Sequence, residues 1–174
     1  KKNGLDYSAR VDMDTIGLPG REIIPTKYIV AHGSDLFHES VSVNNLKIIF
    51  KTMNNLRHHT FEITTKRIER AAYIANEFEW TDNIHLGVGV ESGRYRWRLD
   101  YLRDIPTNRF VSVCPMLGPF PNANLSGIDH VGIVEETWGM KRPMDMKWAE
   151  ELIYQCDEQG VAHTLNESYA WEPN

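Results

Sequence analysis

The chain has few cysteines and no excess of positive charge, and both absences exclude classes of protein. Only two of its 174 residues are cysteine, Cys114 and Cys156, which lie far apart in segments that read as regular structure. A disulfide is therefore not expected, and two thiols alone make neither a zinc site nor an iron–sulfur site. The formal net charge of −5 argues against a protein that coats nucleic acid through bulk charge.

Long apolar runs are also missing. No run approaches the roughly 20 residues that a membrane-spanning helix needs, and the amino terminus shows no signal-peptide pattern. We therefore expect a soluble, cytoplasmic protein without a membrane partner. The chain begins with Lys-Lys and not with Met, which indicates processing or further residues upstream.

What the sequence does contain is a regular alternation of strand-like and helix-like segments. Helical periodicity predicts helices near residues 43–55, 67–78, 95–103 and 145–159, with Ser42 capping the first and Gly160 closing the last. Runs of β-branched and aromatic residues predict six strands: KYIVAH, HTFEITT, IHLGVGV, RFVSVC, HVGIVE and VAHTL. Repeated βαβ units of this kind predict an α/β fold with a mostly parallel sheet.

The alternation leaves two architectures open, a doubly wound open sheet and part of a (β/α) barrel. Six strands are too few for a closed barrel of eight, so the barrel form that the sequence permits is an incomplete one. Residues 1–25, punctuated by glycine and proline, are predicted to form an irregular N-terminal segment, and residues 26–174 a single α/β domain.

Polar side chains follow every predicted strand. The carboxyl ends of parallel strands meet at one edge of the sheet, where ligands bind in folds of this class. Cations there can bind a carboxylate or phosphate, and carboxylates can accept amines or hydroxyls. The residues concerned are His32, Ser34, Asp35, His38, Glu39, Thr65, Lys66, Arg67, Glu91, Cys114, Glu135, Glu136, Asn166 and Glu167.

Five motifs occur in order at characteristic spacing: SDLFHE, HTFEITTKRIER, LGVGVE, RFVSVCPMLGP and RPMDMKWAEELIYQCDEQGV. Together they resemble the phage Gp37/Gp68-like family, a family of unknown function regarded as related to radical SAM enzymes. The resemblance implies an incomplete barrel of the radical SAM type. It also implies S-adenosylmethionine (SAM) and a [4Fe-4S] cluster at the carboxyl ends of the strands, and a phage protein in the cytoplasm of a bacterial host.

Carried over by position, the resemblance implies a set of ligand-binding residues but no catalytic one. The substrate would be a small molecule, for which a modified nucleobase is a reasonable example. The implied ligand-binding residues are Ser34, Asp35, His38, Glu39, Thr65, Lys66, Arg67, Glu91, Arg98, Glu136 and Arg142.

The chain departs from that family where the cluster would be held. The family's amino-terminal cysteine motif, roughly GCxxxSxGCxxCYA, is missing from the sequence, although three thiolates are needed to hold a cluster whose open iron binds SAM. The family's VGGESG and FKQWG stretches read VEETWG and LNESY. Either a cysteine segment lies upstream, or the barrel has lost the cluster and serves as a nucleic-acid-binding or protein-binding module. Whether the chain is an enzyme depends on which explanation holds.

The charged candidates also have plainer interpretations. Lys66 and Arg67 could begin a helix and point into solvent. However, cations at a helix start oppose the helix dipole, and an anionic ligand would offset that cost. Glu91 could simply form a salt bridge with Arg94 or Arg98.

The remaining candidates are weaker. Asp35 could be a turn or capping residue, and Cys114 reads as a small buried residue, because nothing nearby in sequence would lower its pKa. His32 and His38 match no metal-binding signature, so no metal site of side chains is expected. The run RYRWRLDYLR interleaves arginines with aromatics, which suits either nucleic acid or an amphipathic helix with a solvated face.

Overall fold

The structure is a computed structural model that describes residues 16–137 and 139–166. Within these ranges the structure has four complete α-helices: α1 (Val43–Asn55), α2 (Ile68–Tyr73), α3 (Arg98–Arg103) and α4 (Met146–Gln159). The same ranges contain six strands: β1 (Lys27–Val30), β2 (Thr60–Thr65), β3 (Ile84–Gly89), β4 (Asn108–Val113), β5 (His130–Ile133) and β6 (Ala162–Leu165). All six predicted strands are therefore confirmed, each within two residues of the predicted bounds.

The six strands form one parallel sheet in the order β1-β2-β3-β4-β5-β6. A doubly wound sheet requires a reversal of strand order, and this sheet has none. Pairing between β1 and β6 is not found in the described part of the chain, so the sheet is not closed into a barrel. The predicted α/β fold with a parallel sheet is confirmed, and the doubly wound alternative is excluded by the strand order.

Local sequence signals set the helix ends. The Ser42 hydroxyl accepts a hydrogen bond of 3.2 Å from the Asn45 backbone N–H at the start of α1. At the end of α4, Gly160 adopts the left-handed conformation, with φ of 66°, which is accessible to glycine at little cost. Both predicted caps are confirmed.

The second and third helices are shorter than the periodicity predicts. Of the predicted helix at residues 67–78, only Ile68–Tyr73 are α-helical, and a 3-10 turn follows at Ala75–Glu77. Of the predicted helix at residues 95–103, only Arg98–Arg103 are α-helical, and a 3-10 turn at Gly93–Tyr95 precedes them. The partly buried aromatic rings beyond α2 give a reason for its early end, since the Trp80 indole donates a hydrogen bond of 3.0 Å to the Ala75 carbonyl.

The hydrophobic core joins alternate strand positions to the apolar faces of the helices. Leu46, Phe50 and Met53 of α1 are buried together with strand residues such as Ile63 and Leu86. The opposite face of the sheet differs in character, because apart from Phe110 its buried positions are polar or glycine: Glu62, His85, Gly87, Ser112 and His130. One face of the sheet thus supplies stability, and the other carries polar groups.

The predicted N-terminal segment is described only in part, because residues 1–15 lie outside the described ranges. A 3-10 turn at Leu18–Arg21 follows them. The buried His59 ring anchors this region, since its Nδ1 accepts a hydrogen bond of 3.1 Å from the Thr26 N–H and its Nε2 lies 2.9 Å from the Pro19 carbonyl. Among the described helices, none is both long enough and apolar enough to cross a membrane.

Candidate functional site

Most of the predicted site residues come together at the carboxyl edge of the sheet, because all six strands point the same way. Three loops contribute charged side chains: the loop after β1, the turn from β2 into α2, and the segment that follows β3. A fourth segment, between β5 and α4, contributes Glu136 and Arg142. Of the predicted residues, Glu167 lies outside the described ranges.

Asp35 is the centre of the first group, and its carboxylate accepts four hydrogen bonds. Oδ1 accepts from the Thr65 hydroxyl at 2.8 Å and from the Phe37 N–H at 3.0 Å. Oδ2 accepts from the Lys66 N–H at 3.0 Å and from Arg67 Nη1 at 3.3 Å. Only 14% of the side chain is exposed. Asp35 therefore fastens the loop after β1 to the end of β2, and its acceptor capacity is filled by the protein.

Arg67 links Asp35 to Glu39. Its Nε donates to both carboxylate oxygens of Glu39, at 3.1 and 3.0 Å. The pKa of the Glu39 carboxyl is lowered, first by a hydrogen bond from the backbone N–H of Glu39 itself and second by the Arg67 guanidinium. The sequence predicted an anionic ligand at the start of α2, and the structure places two carboxylates of the chain itself, Asp35 and Glu39, against Arg67.

Lys66, Glu91 and Arg98 form the second group. The Lys66 ammonium forms a hydrogen-bonded ion pair with Glu91 Oε1, and Arg98 Nη1 lies 3.6 Å from Glu91 Oε2. Arg98 also donates to the Gly89 carbonyl, which fixes it against the end of β3. The Glu91 and Arg98 side chains are mostly buried, at 15% and 12% exposed, whereas Lys66 is half exposed. A largely buried acid is thus held between two cations at the end of a central strand.

Arg98 retains one unsatisfied donor. Its Nε is buried and has no hydrogen-bond partner among the described residues. A buried N–H without an acceptor costs free energy, and an acceptor supplied by a ligand or by water would recover that cost.

Glu136 and Arg142 form the third group. The carboxylate of Glu136 accepts hydrogen bonds from Arg142 Nε at 2.9 Å and from the Arg142 backbone N–H at 2.8 Å, and it also pairs with Nη2. These hydrogen bonds lower the pKa of Glu136 to about 2, and the bonds from the Arg142 side chain contribute more than the one from its backbone. Its neighbour Glu135 is exposed.

Two predicted residues are turned toward their own loop. The Ser34 hydroxyl donates to the Ala31 carbonyl at 3.2 Å, and His38 Nδ1 lies 2.8 Å from the Ser40 hydroxyl. His38 Nε2 is nevertheless 3.8 Å from Glu39 Oε2, at the margin of the first group. Neither Ser34 nor His38 contacts the group around Glu91.

Sequence reasoning left Arg70 out of the site, although it holds the site's main loop in place. Its Nη1 donates to the Phe37 carbonyl at 2.8 Å and to the His38 carbonyl, and its Nη2 donates to the Val41 carbonyl at 2.7 Å. Its signal in the sequence was its place in the HTFEITTKRIER motif, where it lies three residues after Arg67 and therefore on a neighbouring part of the helix surface.

The two cysteines do not form a site for a cluster. Both are free. Cys156 is buried in α4, where burial raises the pKa of its thiol to about 12. Cys114 follows β4, and burial raises the pKa of its thiol as well. In the described ranges, no group of three or more His, Cys, Asp or Glu side chains is arranged to hold a metal ion.

Comparison with known proteins gives the family of the chain. No curated protein matches it, and no solved structure matches it. One family model matches residues 2–174, almost the whole sequence. The chain therefore belongs to the family described as "Protein of unknown function (DUF5131)".

Proposed function

We propose that this chain is the barrel part of a radical-SAM-like enzyme, related to the phage Gp37/Gp68-like proteins, and that it binds SAM at the carboxyl edge of its sheet. The open parallel sheet in sequential strand order supports this proposal, because an incomplete barrel has that order. The motifs that carry the resemblance supply the charged groups along this edge. Under this proposal, the substrate is a small molecule and the site of action is the cytoplasm of a bacterial host.

The observation that carries the proposal is the position of Glu91 between Lys66 and Arg98. The amino-acid end of SAM is a zwitterion, with one ammonium and one carboxylate. Such a ligand can exchange with an ion pair already present in the protein, because its ammonium binds the acid and its carboxylate binds the cations. Lys66 is half exposed and free to move aside, whereas Glu91 and Arg98 are held by burial and by the Gly89 carbonyl.

The unsatisfied donor supports the same assignment. Arg98 Nε lacks an acceptor among the residues that the structure describes, and a ligand carboxylate is a strong acceptor for a guanidinium. Asp35 and Arg70 would act indirectly, by holding the loop after β1 beside the site.

The residues of this chain do not fit an iron–sulfur cluster. Three thiolates are needed, and the chain has two cysteines. One of them, Cys156 of α4, is buried in the core. The proposal for the chain itself is therefore limited to binding and orienting SAM and substrate, with Lys66, Glu91 and Arg98 as the residues that recognise the amino-acid end.

Isothermal titration calorimetry with SAM tests the proposal. Glu91→Gln removes the charge but keeps the shape, and we expect it to weaken SAM binding about tenfold or more, the usual scale for a hydrogen bond to a charged group. Glu79→Gln is the matched control, because Glu79 is an exposed acid paired with Arg57 away from this edge, and it should bind SAM like the wild type.

A second ligand makes the test more specific. Decarboxylated SAM keeps the ammonium but lacks the carboxylate that would pair with Lys66 and Arg98. It should therefore bind the wild type more weakly than SAM does, and it should bind Lys66→Gln as tightly as it binds the wild type. Absence of SAM binding at about 1 mM, an affinity weaker than about −4 kcal/mol, would overturn the proposal. Unchanged binding in Glu91→Gln, Glu91→Ala and Asp35→Ala would overturn the assignment of the site.

A further inference from the structure

Two aromatic side chains are exposed side by side in the segment that follows Glu91. Trp97 is 39% exposed and Tyr101 is 38% exposed, and their ring centroids lie 6.0 Å apart in an edge-to-face arrangement. Trp97 caps α3 in helical conformation and Tyr101 lies four residues further on, so both are on the same face of the helix. Accessible rings of this kind are a surface on which a nucleobase can stack.

Two arginines precede these rings in the chain. Arg94 and Arg96 are both exposed, and neither guanidinium forms an ion pair with the residues described in the structure. The other arginines of the segment are engaged, Arg98 with Glu91 and Arg103 with Asp100. Arg94 and Arg96 therefore keep their charge available for an anion.

Arg98 connects this surface to the candidate site. Its guanidinium carbon lies 5.5 Å from the centroid of the Trp97 ring, while its Nη1 lies 3.6 Å from Glu91 Oε2. The same side chain therefore lies against the Trp97 ring on one side and the buried acid on the other. A ligand stacked on Trp97 would lie next to the carboxyl edge of the sheet.

We propose that Arg94, Arg96, Trp97 and Tyr101 form a surface that binds single-stranded nucleic acid. Bases would stack on the two rings, and phosphates would bind the two guanidiniums. Single strands are favoured over duplexes, because the bases of a duplex are already stacked on one another. With a net charge of −5 on the chain, the attraction comes from this local surface and not from the protein as a whole. Binding of a strand to this surface does not depend on the proposed function. The further step, in which the strand places a nucleobase in the neighbouring site, rests on the proposed function.

Fluorescence anisotropy with labelled oligonucleotides of about 12 nucleotides tests the binding. We expect the wild type to bind single-stranded DNA or RNA at low salt and to bind a hairpin duplex of the same length more weakly. The double variant Trp97→Ala/Tyr101→Ala should weaken binding about tenfold or more, since stacking contributes strongly for each base. Trp97→Phe, which keeps a ring, should restore much of the loss. Tyr73→Ala is the control, because Tyr73 is an exposed aromatic of α2 outside this surface.

The arginines are tested by salt dependence. Arg94→Gln/Arg96→Gln should flatten the plot of log affinity against log salt concentration by about 0.7 for each phosphate that no longer has an arginine partner. Lys47→Gln/Lys51→Gln, exposed cations of α1, should leave the slope unchanged. Both arginines are exposed, so this variant keeps the core intact and remains informative if the aromatic variant fails to fold.

The outcomes separate this inference from the proposed function. Loss of oligonucleotide binding in the aromatic variant with SAM binding retained would support the inference. A wild type that binds SAM but no oligonucleotide at about 100 µM protein in low salt would overturn the inference. Oligonucleotide binding that is unchanged in both variants would also overturn it, and so would recovery of a protein partner alone. A wild type that binds oligonucleotide but not SAM would overturn the proposed function and leave this surface standing.

Discussion

The Thr65 hydroxyl donates a hydrogen bond of 2.8 Å to Oδ1 of Asp35, which joins the last residue of β2 to the loop that follows β1. The two residues are 30 positions apart in the chain. The bond forms because the parallel strands β1 and β2 end at the same edge of the sheet. Asp35, which the sequence predicted to bind a ligand, therefore also organises the site.

Asp35→Asn tests that structural role. The amide can accept at one oxygen only, so it loses either the bonds to Lys66 N–H and Arg67 or those to Thr65 and Phe37. We expect the free energy of unfolding to fall by about 2 kcal/mol, measured by urea denaturation.

The control for Asp35→Asn is Glu39→Gln, which removes the other carboxylate partner of Arg67. Glu39 is 68% exposed and Asp35 is 14% exposed. Because solvent screens an exposed ion pair, the control should lower the free energy of unfolding far less than Asp35→Asn does. Equal losses for the two variants would contradict the assignment of Asp35 as the organising residue.

Arg70→Lys should loosen the loop after β1. A lysine cannot reach the Phe37, His38 and Val41 carbonyls together, because it lacks the planar fork of the guanidinium. We expect a loss of about 1–2 kcal/mol in unfolding free energy and faster hydrogen exchange in residues 37–41. Arg57→Lys changes an exposed arginine and should change neither measurement. Unaltered exchange in residues 37–41 would show that other contacts hold the loop.

Gly87→Ala should destabilise the sheet. A Cβ atom at this position would lie 2.1 Å from Cε2 of the Phe110 ring, so the ring would have to move. Overpacking of this kind costs about 1–3 kcal/mol, which thermal denaturation would detect. Gly17→Ala meets no atom within 4 Å and should be close to neutral. A neutral Gly87→Ala would mean that the Phe110 ring moves aside without cost.

The Glu136–Arg142 pair should make stability depend on acid pH. Hydrogen bonds from Arg142 lower the pKa of Glu136 from 4.5 to about 2. A carboxyl whose pKa is lower in the folded state stabilises that state above the pKa of the unfolded chain, and the contribution is lost as the pH falls. The wild type should therefore exceed Glu136→Gln in melting temperature above pH 4.5, and the gap should close between pH 4.5 and 2.

Arg142→Gln is the matched variant for this pair, because it removes the donor and leaves the acid. The melting temperature of Arg142→Gln should also lie below that of the wild type above pH 4.5, and the difference should shrink as the pH falls to 2. A gap that stays constant down to pH 2 would contradict the lowered pKa of Glu136.

The two thiols should resist alkylation to different degrees. Burial raises the pKa of both, and that of Cys156 reaches about 12, so little reactive thiolate is present at neutral pH. With iodoacetamide and mass spectrometry, we expect Cys156 to be labelled only after unfolding and Cys114, which is partly exposed, to be labelled slowly in the native protein. Rapid native labelling of Cys156 would contradict its placement in the core.

The sequence by itself determined most of the secondary structure, because the signals are local. Periodicity located all six strands and the bounds of α1, and the capping residues Ser42 and Gly160 were identifiable from their chemistry. It failed for α2, where helical periodicity continues past Tyr73 but the chain turns to place Phe78 and Trp80 against Phe50. That turn depends on contacts with a distant segment, to which a local pattern is blind.

The tertiary structure alone decided which charges meet. The sequence placed Lys66 and Arg67 at a helix start and predicted an anionic ligand there, but it could not say that Asp35, Glu39 and Glu91 of the chain itself would pair with them. Those partners are 25 to 32 residues away, and their proximity follows from the parallel pairing of β1, β2 and β3. Strand order likewise excluded the doubly wound sheet. Local preference fixes the elements, whereas long-range pairing fixes the site, because a side chain finds its partner only once the strands have aligned.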